Sequence, residues 1–221
     1  GFEVYVGLEE EEPGSAGFEK TGTLIVAPYE EYEDYILQAV DLTIASGYEA
    51  KYMRDPEEIL EIIPDLKLDG ILGAGWCPDD GFFDATMISN TLARKAREAG
   101  VQVLIGTEVQ AINVKDGKVT GVETNKGHFD LDVLVDASGP WTKFNGKKVG
   151  IELPIWHTKA EVFILNPTEK LGYEFPVLKY PRFYARKDKD NVFICKAHLT
   201  MDLNNPEHAG VWNPDELPLT G

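Results

Sequence analysis

The chain has 221 residues, 43% of them hydrophobic and 10% aromatic, which is enough apolar surface to build a core and to exclude disorder as a general description. Thirty-eight acidic residues against 21 basic ones leave a net charge of −17, and such an excess repels phosphate backbones and anionic headgroups, so nucleic acid and membrane surfaces are poor partners. No apolar run approaches the roughly 20 residues of a membrane span, the N-terminus shows no basic leader, and Cys77 and Cys195 are the only cysteines, so the expectation is a soluble, cytoplasmic protein without a disulfide framework.

Val4-Tyr5-Val6 reads as a short strand, followed by an exposed acidic loop from Glu9 to Gly17. Gly22 to Ala27 is a short apolar strand. Tyr32, Ile36, Leu37, Val40 and Ile44 then recur at helical spacing, which predicts an amphipathic helix from Glu30 to Ser46, stopped by Gly47. Asp55-Pro56-Glu57-Glu58 starts a second helix, with an acid at the cap, proline at the first position and glutamates where the helix dipole favours them; Pro64 ends it. Asp84 caps a third helix, Ala85 to about Ala99, and Gly100 closes it. Val101 to Ile105 follows as a strand, the return of a βαβ unit. Three further strands, Val109 to Lys115, Lys118 to Asn125 and His128 to Asp136, are separated by Asp116-Gly117 and Lys126-Gly127 and predict a three-stranded meander. A small-residue turn, Ala137 to Trp141, comes next, then a basic stretch from Lys143 to Lys148. Ala160 to Leu165 reads as a strand and Tyr180 to His198 as a hairpin, while Leu203 to Gly221 reads as loop.

Taken in order, these segments resemble the D-amino-acid oxidase, glycine oxidase and sarcosine oxidase family of FAD-dependent enzymes. The resemblance is carried by Phe18 to Leu24, by Pro78-Asp79-Asp80-Gly81-Phe82-Phe83-Asp84, by Val101 to Ile112, by the Gly121-Val122-Glu123-Thr124 meander and, most specifically, by Val135-Asp136-Ala137-Ser138-Gly139-Pro140-Trp141. It implies an α+β (α/β) fold: an incomplete FAD/NAD(P)-binding-type domain with the meander, plus a mixed-sheet substrate domain. The implied division gives residues 1–70 to the substrate domain and its helices, 71–150 to the remainder of the FAD-binding domain, and 151–221 to the substrate domain again. No Gly-x-Gly-x-x-Gly occurs, so the turn that grips the FAD pyrophosphate is missing from this stretch. The chain is therefore expected to be a central fragment, inactive alone, whose dinucleotide-binding motif comes from further segments or from a partner subunit.

The resemblance implies FAD as cofactor, contacted by Val109 and by Ala137, Ser138, Gly139, Pro140 and Trp141, and no metal. The alternative for these is an ordinary buried strand and a turn, with Trp141 filling core. Oxidation of a carbon–nitrogen bond beside a carboxylate needs a cation to orient the carboxylate. Arg182, Tyr184 and Arg186 alternate along one strand and so share a face; Arg186 is the candidate carboxylate clamp and Tyr184 a further hydrogen-bond partner, the alternative being exposed arginines on an edge hairpin. His157 is a third candidate beside the substrate, with a structural histidine as its alternative. Lys159 and Lys196 are candidates for the flavin side, or surface lysines. The implied reaction is oxidation of a small amino acid or N-methyl amino acid (sarcosine, glycine, proline or a D-amino acid) to an imine. The rivals are a 2-hydroxy-acid or glycerol-phosphate oxidoreductase on the same scaffold, and a non-catalytic subunit.

Overall fold

The computed structural model describes residues 2–155, 160–181, 183–189 and 191–197. In chain order its elements are α1 (Phe2–Glu11), β1 (Thr23–Ala27), α2 (Glu30–Ala45), β2 (Lys51–Met53), α3 (Pro56–Ile62), β3 (Gly73–Cys77) and α4 (Ala85–Glu98). There follow β4 (Val109–Lys115), β5 (Lys118–Thr124), β6 (Gly127–Asp130), a 3-10 turn (Gly139–Trp141), α5 (Thr142–Lys148), β7 (Ala160–Leu165), β8 (Val177–Tyr180), β9 (Phe183–Asp188) and β10 (Asn191–Ala197). Among the described residues the chain forms two compact units, one from residues 2–98 with 160–197 and the other from residues 99–155. The expected functional boundaries at 70 and 150 fall inside these units. No helix among the described residues is long and apolar enough to cross a membrane.

The first unit is built on a seven-stranded mixed sheet in the order β2-β3-β1-β8-β9-β10-β7, in which β1 and β8 run parallel and the other neighbours antiparallel. Side chains alternate across it. Leu24, Val26, Met53, Ala74, Leu178 and Ala185 occupy one face and form the core with Ile59 and Ile63 of the α3 segment. Asp55 caps α3 by accepting from Glu57 N at 3.0 Å, with Pro56 at the first position. The other face is covered at the β1–β3 end by α2, whose Ile36 is fully buried. Gly75 makes that approach feasible, because a Cβ there would lie 2.6 Å from Ile36 Cγ2.

The second unit holds the three-stranded antiparallel sheet β4-β5-β6. Asp116 and Gly117 both take positive φ, 52° and 73°, the geometry a two-residue hairpin turn demands. The β5–β6 turn is centred on Asn125-Lys126, since Thr124 pairs with Gly127. The mixed α/β fold with a mixed sheet and a separate antiparallel meander thus agrees with expectation.

Four local expectations are overturned. Val4-Tyr5-Val6 is helical, and so is the beginning of the supposed acidic loop. A three-residue apolar run does not distinguish strand from helix, and tertiary partners decide: Leu8 is buried, Tyr5 meets the Phe83 ring edge-on at 5.4 Å, and Glu11 and Glu12 pair with Lys95 and Arg94 of α4. Val101 to Ile105 forms no strand, and the third meander strand stops at Asp130, so Leu131 to Asp136 is irregular. Both segments lack a neighbouring strand among the described residues, and an apolar segment without a ladder partner is not a strand. The basic stretch at 143–148 is α5. His198 and the segment from Leu203 lie outside the described residues.

Candidate functional site

On β9, Tyr184 and Arg186 share one face of the large sheet, as their spacing requires. Pairing of β9 with β10 sets Phe193 opposite Arg186 and Cys195 opposite Tyr184. The Arg186 guanidinium lies 4.1 Å from the centre of the Phe82 ring and 4.9 Å from that of Phe193, so it is held between two aromatic faces. Its Nη1 donates to Lys187 O at 3.2 Å, and among the described residues no carboxylate pairs with it. Phe82 is positioned by a backbone bridge, Phe82 N to Glu19 O at 3.1 Å and Glu19 N to Phe82 O at 2.9 Å. Tyr184 is 38% exposed, and burial of its phenol pushes its pKa above the ordinary value; the hydrogen bond to Cys195 adds to the effect and the Arg186 charge opposes it. The hydroxyl therefore stays protonated at neutral pH and serves as a donor. Arg182, His157 and Lys159 lie outside the described residues, as does the side chain of Lys196.

In the second unit, Val109 opens β4 opposite Thr124, and Lys148 Nζ of α5 donates to its carbonyl at 2.8 Å. The carbonyl keeps one lone pair for a further donor. The 136–145 turn is organised by Asp136, whose carboxylate accepts from Ser138 N at 3.0 Å and Asn145 Nδ2 at 3.4 Å. The Ser138 hydroxyl holds Asp136 below the usual carboxylate range; desolvation opposes it, and the Ser138 N–H, Asn145 and the Lys148 charge add to the lowering. Lys148 thus hydrogen-bonds the Val109 carbonyl and acts on Asp136, at the start of the turn, through its charge. Gly139 has φ +59°, and Ala137, Gly139, Pro140 and Trp141 are exposed.

Two features escaped sequence reasoning. Arg186 packs over Phe82 and Phe193, and only tertiary pairing reveals it, Phe193 through the β9–β10 register and Phe82 from the loop after β3; the signal available was the aromatic pair Phe82-Phe83 after a glycine. Thr107, two residues before Val109, has a buried hydroxyl oxygen with no hydrogen-bond partner. An orphaned polar atom of this kind is costly unless a ligand or solvent meets it. No strand, glycine-rich turn and helix of the pyrophosphate-binding type occurs among the described residues. No cluster of three metal-ligating side chains occurs among them either.

The chain is 28% identical over 196 residues to the mitochondrial dimethylglycine dehydrogenase of Rattus norvegicus, an alignment covering 86% of this chain and 23% of that protein. It is 25% identical over 218 residues to 4-methylaminobutanoate oxidase (formaldehyde-forming) of Paenarthrobacter nicotinovorans, covering 99% of this chain and 25% of the relative. The crystal structure of L-proline dehydrogenase from P. horikoshii superposes with a TM-score of 0.75 at 26% identity, over 89% of this chain and 54% of that one. The chain therefore spans about a quarter of the first two relatives and about half of the third. The model of the family described as FAD dependent oxidoreductase matches residues 1–216, and the chain belongs to that family.

Proposed function

We propose that this chain supplies the substrate-facing sheet and part of the FAD-binding domain of an enzyme that oxidises the C–N bond of a small amino acid or N-methyl amino acid to an imine. The observation that carries the proposal is the Arg186 guanidinium, fixed between Phe82 and Phe193 and unpaired with any carboxylate among the described residues. A planar fork of N–H donors so held suits a carboxylate, and Tyr184, a neutral donor on the same face, adds one hydrogen bond. The names of the three relatives support it: dimethylglycine, 4-methylaminobutanoate and proline each carry an amine and a carboxylate. FAD, when bound, takes up the two electrons of the oxidised bond. Val109, Thr107 and the turn from Ala137 to Trp141 are the residues of this chain that would hold one edge of it.

In this proposal the first unit is the substrate side and the second the cofactor side. The pyrophosphate-binding βαβ comes from chain outside these 221 residues or from a partner subunit. Exposed Val101, Ile105, Val133 and Val135, in segments without a strand partner among the described residues, support that part, as does the fraction of each relative that the chain spans. A cytoplasmic, reducing setting is proposed on the two free thiols, Cys77 and Cys195.

The test is an anaerobic titration of the native full-length holoprotein. Sarcosine, dimethylglycine or L-proline is expected to bleach the flavin absorbance. Bleaching by lactate or glycerol 3-phosphate, with none by the amino acids, overturns the proposal.

A further inference from the structure

A cleft of about 300 Å³ lies between α2 and the large sheet, at the β1–β3 end of the face that carries Arg186 further along. Its floor is Thr23 and Ile25 of β1 with Gly75 and Cys77 of β3. Its roof is Ile36, Ala39, Val40 and Thr43 of α2, and Asp79 and Asp80 lie at its edge. The size falls within the range of small-molecule sites, and the mostly apolar lining with few polar groups is their usual composition.

One of those polar groups stands out. Thr23 is 3% exposed, and its Oγ1 is buried without a hydrogen-bond partner. It sits directly across the β1–β3 ladder from Cys77, on the side facing the cleft. The neighbouring Thr43 hydroxyl is engaged with Ala39 O at 2.8 Å, which leaves Thr23 as the group that a ligand would satisfy. Cys77 is partly buried, and burial pushes its thiol above the ordinary value, so it presents a neutral wall. At the rim the charge is negative: Asp79 pairs with Lys20 at 2.6 Å and accepts from Glu49 N, while Asp80 accepts from Gly81 N. Two carboxylates therefore lie at the rim of the cleft, one of them paired with Lys20, in a chain of net charge −17.

We propose that this cleft is a second, non-catalytic binding site for a small amphipathic cation, an ammonium group on a compact hydrocarbon, with the Thr23 hydroxyl and the Asp79–Asp80 rim as its polar contacts. The site is independent of the oxidase function proposed above.

Cyclohexylammonium is the probe, with cyclohexanol and cyclohexanecarboxylate as its neutral and anionic counterparts. The readout is the rate of Cys77 alkylation by N-ethylmaleimide, followed by peptide mass spectrometry with Cys195 as internal reference. The cation is expected to slow Cys77 alkylation saturably and selectively. Thr23→Val, which removes the hydroxyl and keeps the shape, is expected to weaken protection about 3- to 10-fold, the effect of one lost hydrogen bond. Ala39→Leu, which fills the cleft from a helix position, is expected to abolish it. Thermal melts of both variants should be no lower than that of the parent, which separates loss of the site from loss of the fold. Absence of saturable protection overturns the proposal, as does equal protection by all three probes or an unchanged cation affinity in Thr23→Val.

Discussion

Arg186 and Tyr184 divide the substrate's carboxylate unequally. In the native holoprotein, Arg186→Lys is expected to raise the substrate dissociation constant about 10-fold or more, because lysine keeps the charge but loses the planar fork and its stacking between Phe82 and Phe193. Tyr184→Phe removes one neutral hydrogen bond and is expected to cost about 3-fold. Anaerobic flavin-bleaching titrations measure both, and equal affinities in the two variants would demote the strand to scaffolding. A second residue makes a pH statement. His128 lies between Asp130 at 3.0 Å and Glu123 at 2.8 Å, and these hydrogen bonds, Asp130 first, raise its pKa. Its stabilising share is complete below the ordinary value of 6.5 and is lost as pH rises through the raised folded value. Glu123 works in the opposite sense: Asn113 and then His128 lower its pKa, so its share is present above the ordinary 4.5 and is lost as pH falls. His128→Gln should therefore reduce the melting temperature at pH 5–6 and leave it unchanged near pH 9. The triad is solvent-exposed, so the loss should be slight, about a degree or two. Much of the site was legible in the sequence. The i, i+2 spacing of Tyr184 and Arg186 put them on one face before any fold was known, whereas Phe82 reaches Arg186 from the loop after β3, far away in the sequence, a tertiary contact that no local pattern encodes.

Among the elements, the passage between β3 and α4 links fold to site. A Cβ on Gly81 would run into the Glu19 carbonyl oxygen, a backbone atom that has no room to yield within the Glu19–Phe82 bridge. Gly81→Ala is expected to destabilise the first unit by about 1–3 kcal/mol and, by displacing Phe82, to weaken substrate binding as well. Denaturant melts and the same titration test the two effects separately, and unchanged substrate affinity would show that Phe82 does not support Arg186. The long elements were readable. The apolar stripe of α2, the Asp55-Pro56 start of α3 and the Asp116-Gly117 turn each carry their own signal. β2 and β3 were not: they hold three and five residues, and β3 is Gly-Ala-Gly-Trp-Cys, whose Gly-Ala-Gly start is depleted in strands and shows no apolar alternation. At Val101 to Ile105 and Leu131 to Asp136 the apolar run is present, but a strand also needs a neighbour to receive its hydrogen bonds.

For the whole molecule, charge and missing contacts point the same way. The 221 residues alone are expected to bind FAD with a dissociation constant above micromolar. Micromolar affinity needs about −8 kcal/mol, while Val109, Thr107 and one exposed turn supply a few hydrogen bonds worth about 1 kcal/mol each. A net charge of −17 opposes the pyrophosphate dianion as well. Equilibrium dialysis decides it, and binding at or below about 1 µM would mean that the pyrophosphate is held by residues of this chain. One pairing also has a bearing on how the protein is made. β1 lies parallel to β8, with Thr23 beside Val177, and the entire β4–β6 meander is encoded between them. On the ribosome the meander's hairpins have their partners within reach as soon as they emerge, whereas β1 must wait, its β8 edge open, until synthesis has passed the second unit. Local turns close in microseconds and distant pairings slowly. Refolding from denaturant should accordingly show a fast phase for the meander and a slower one for the large sheet, and the exposed edge of β1 during that interval is where premature association between nascent chains would begin.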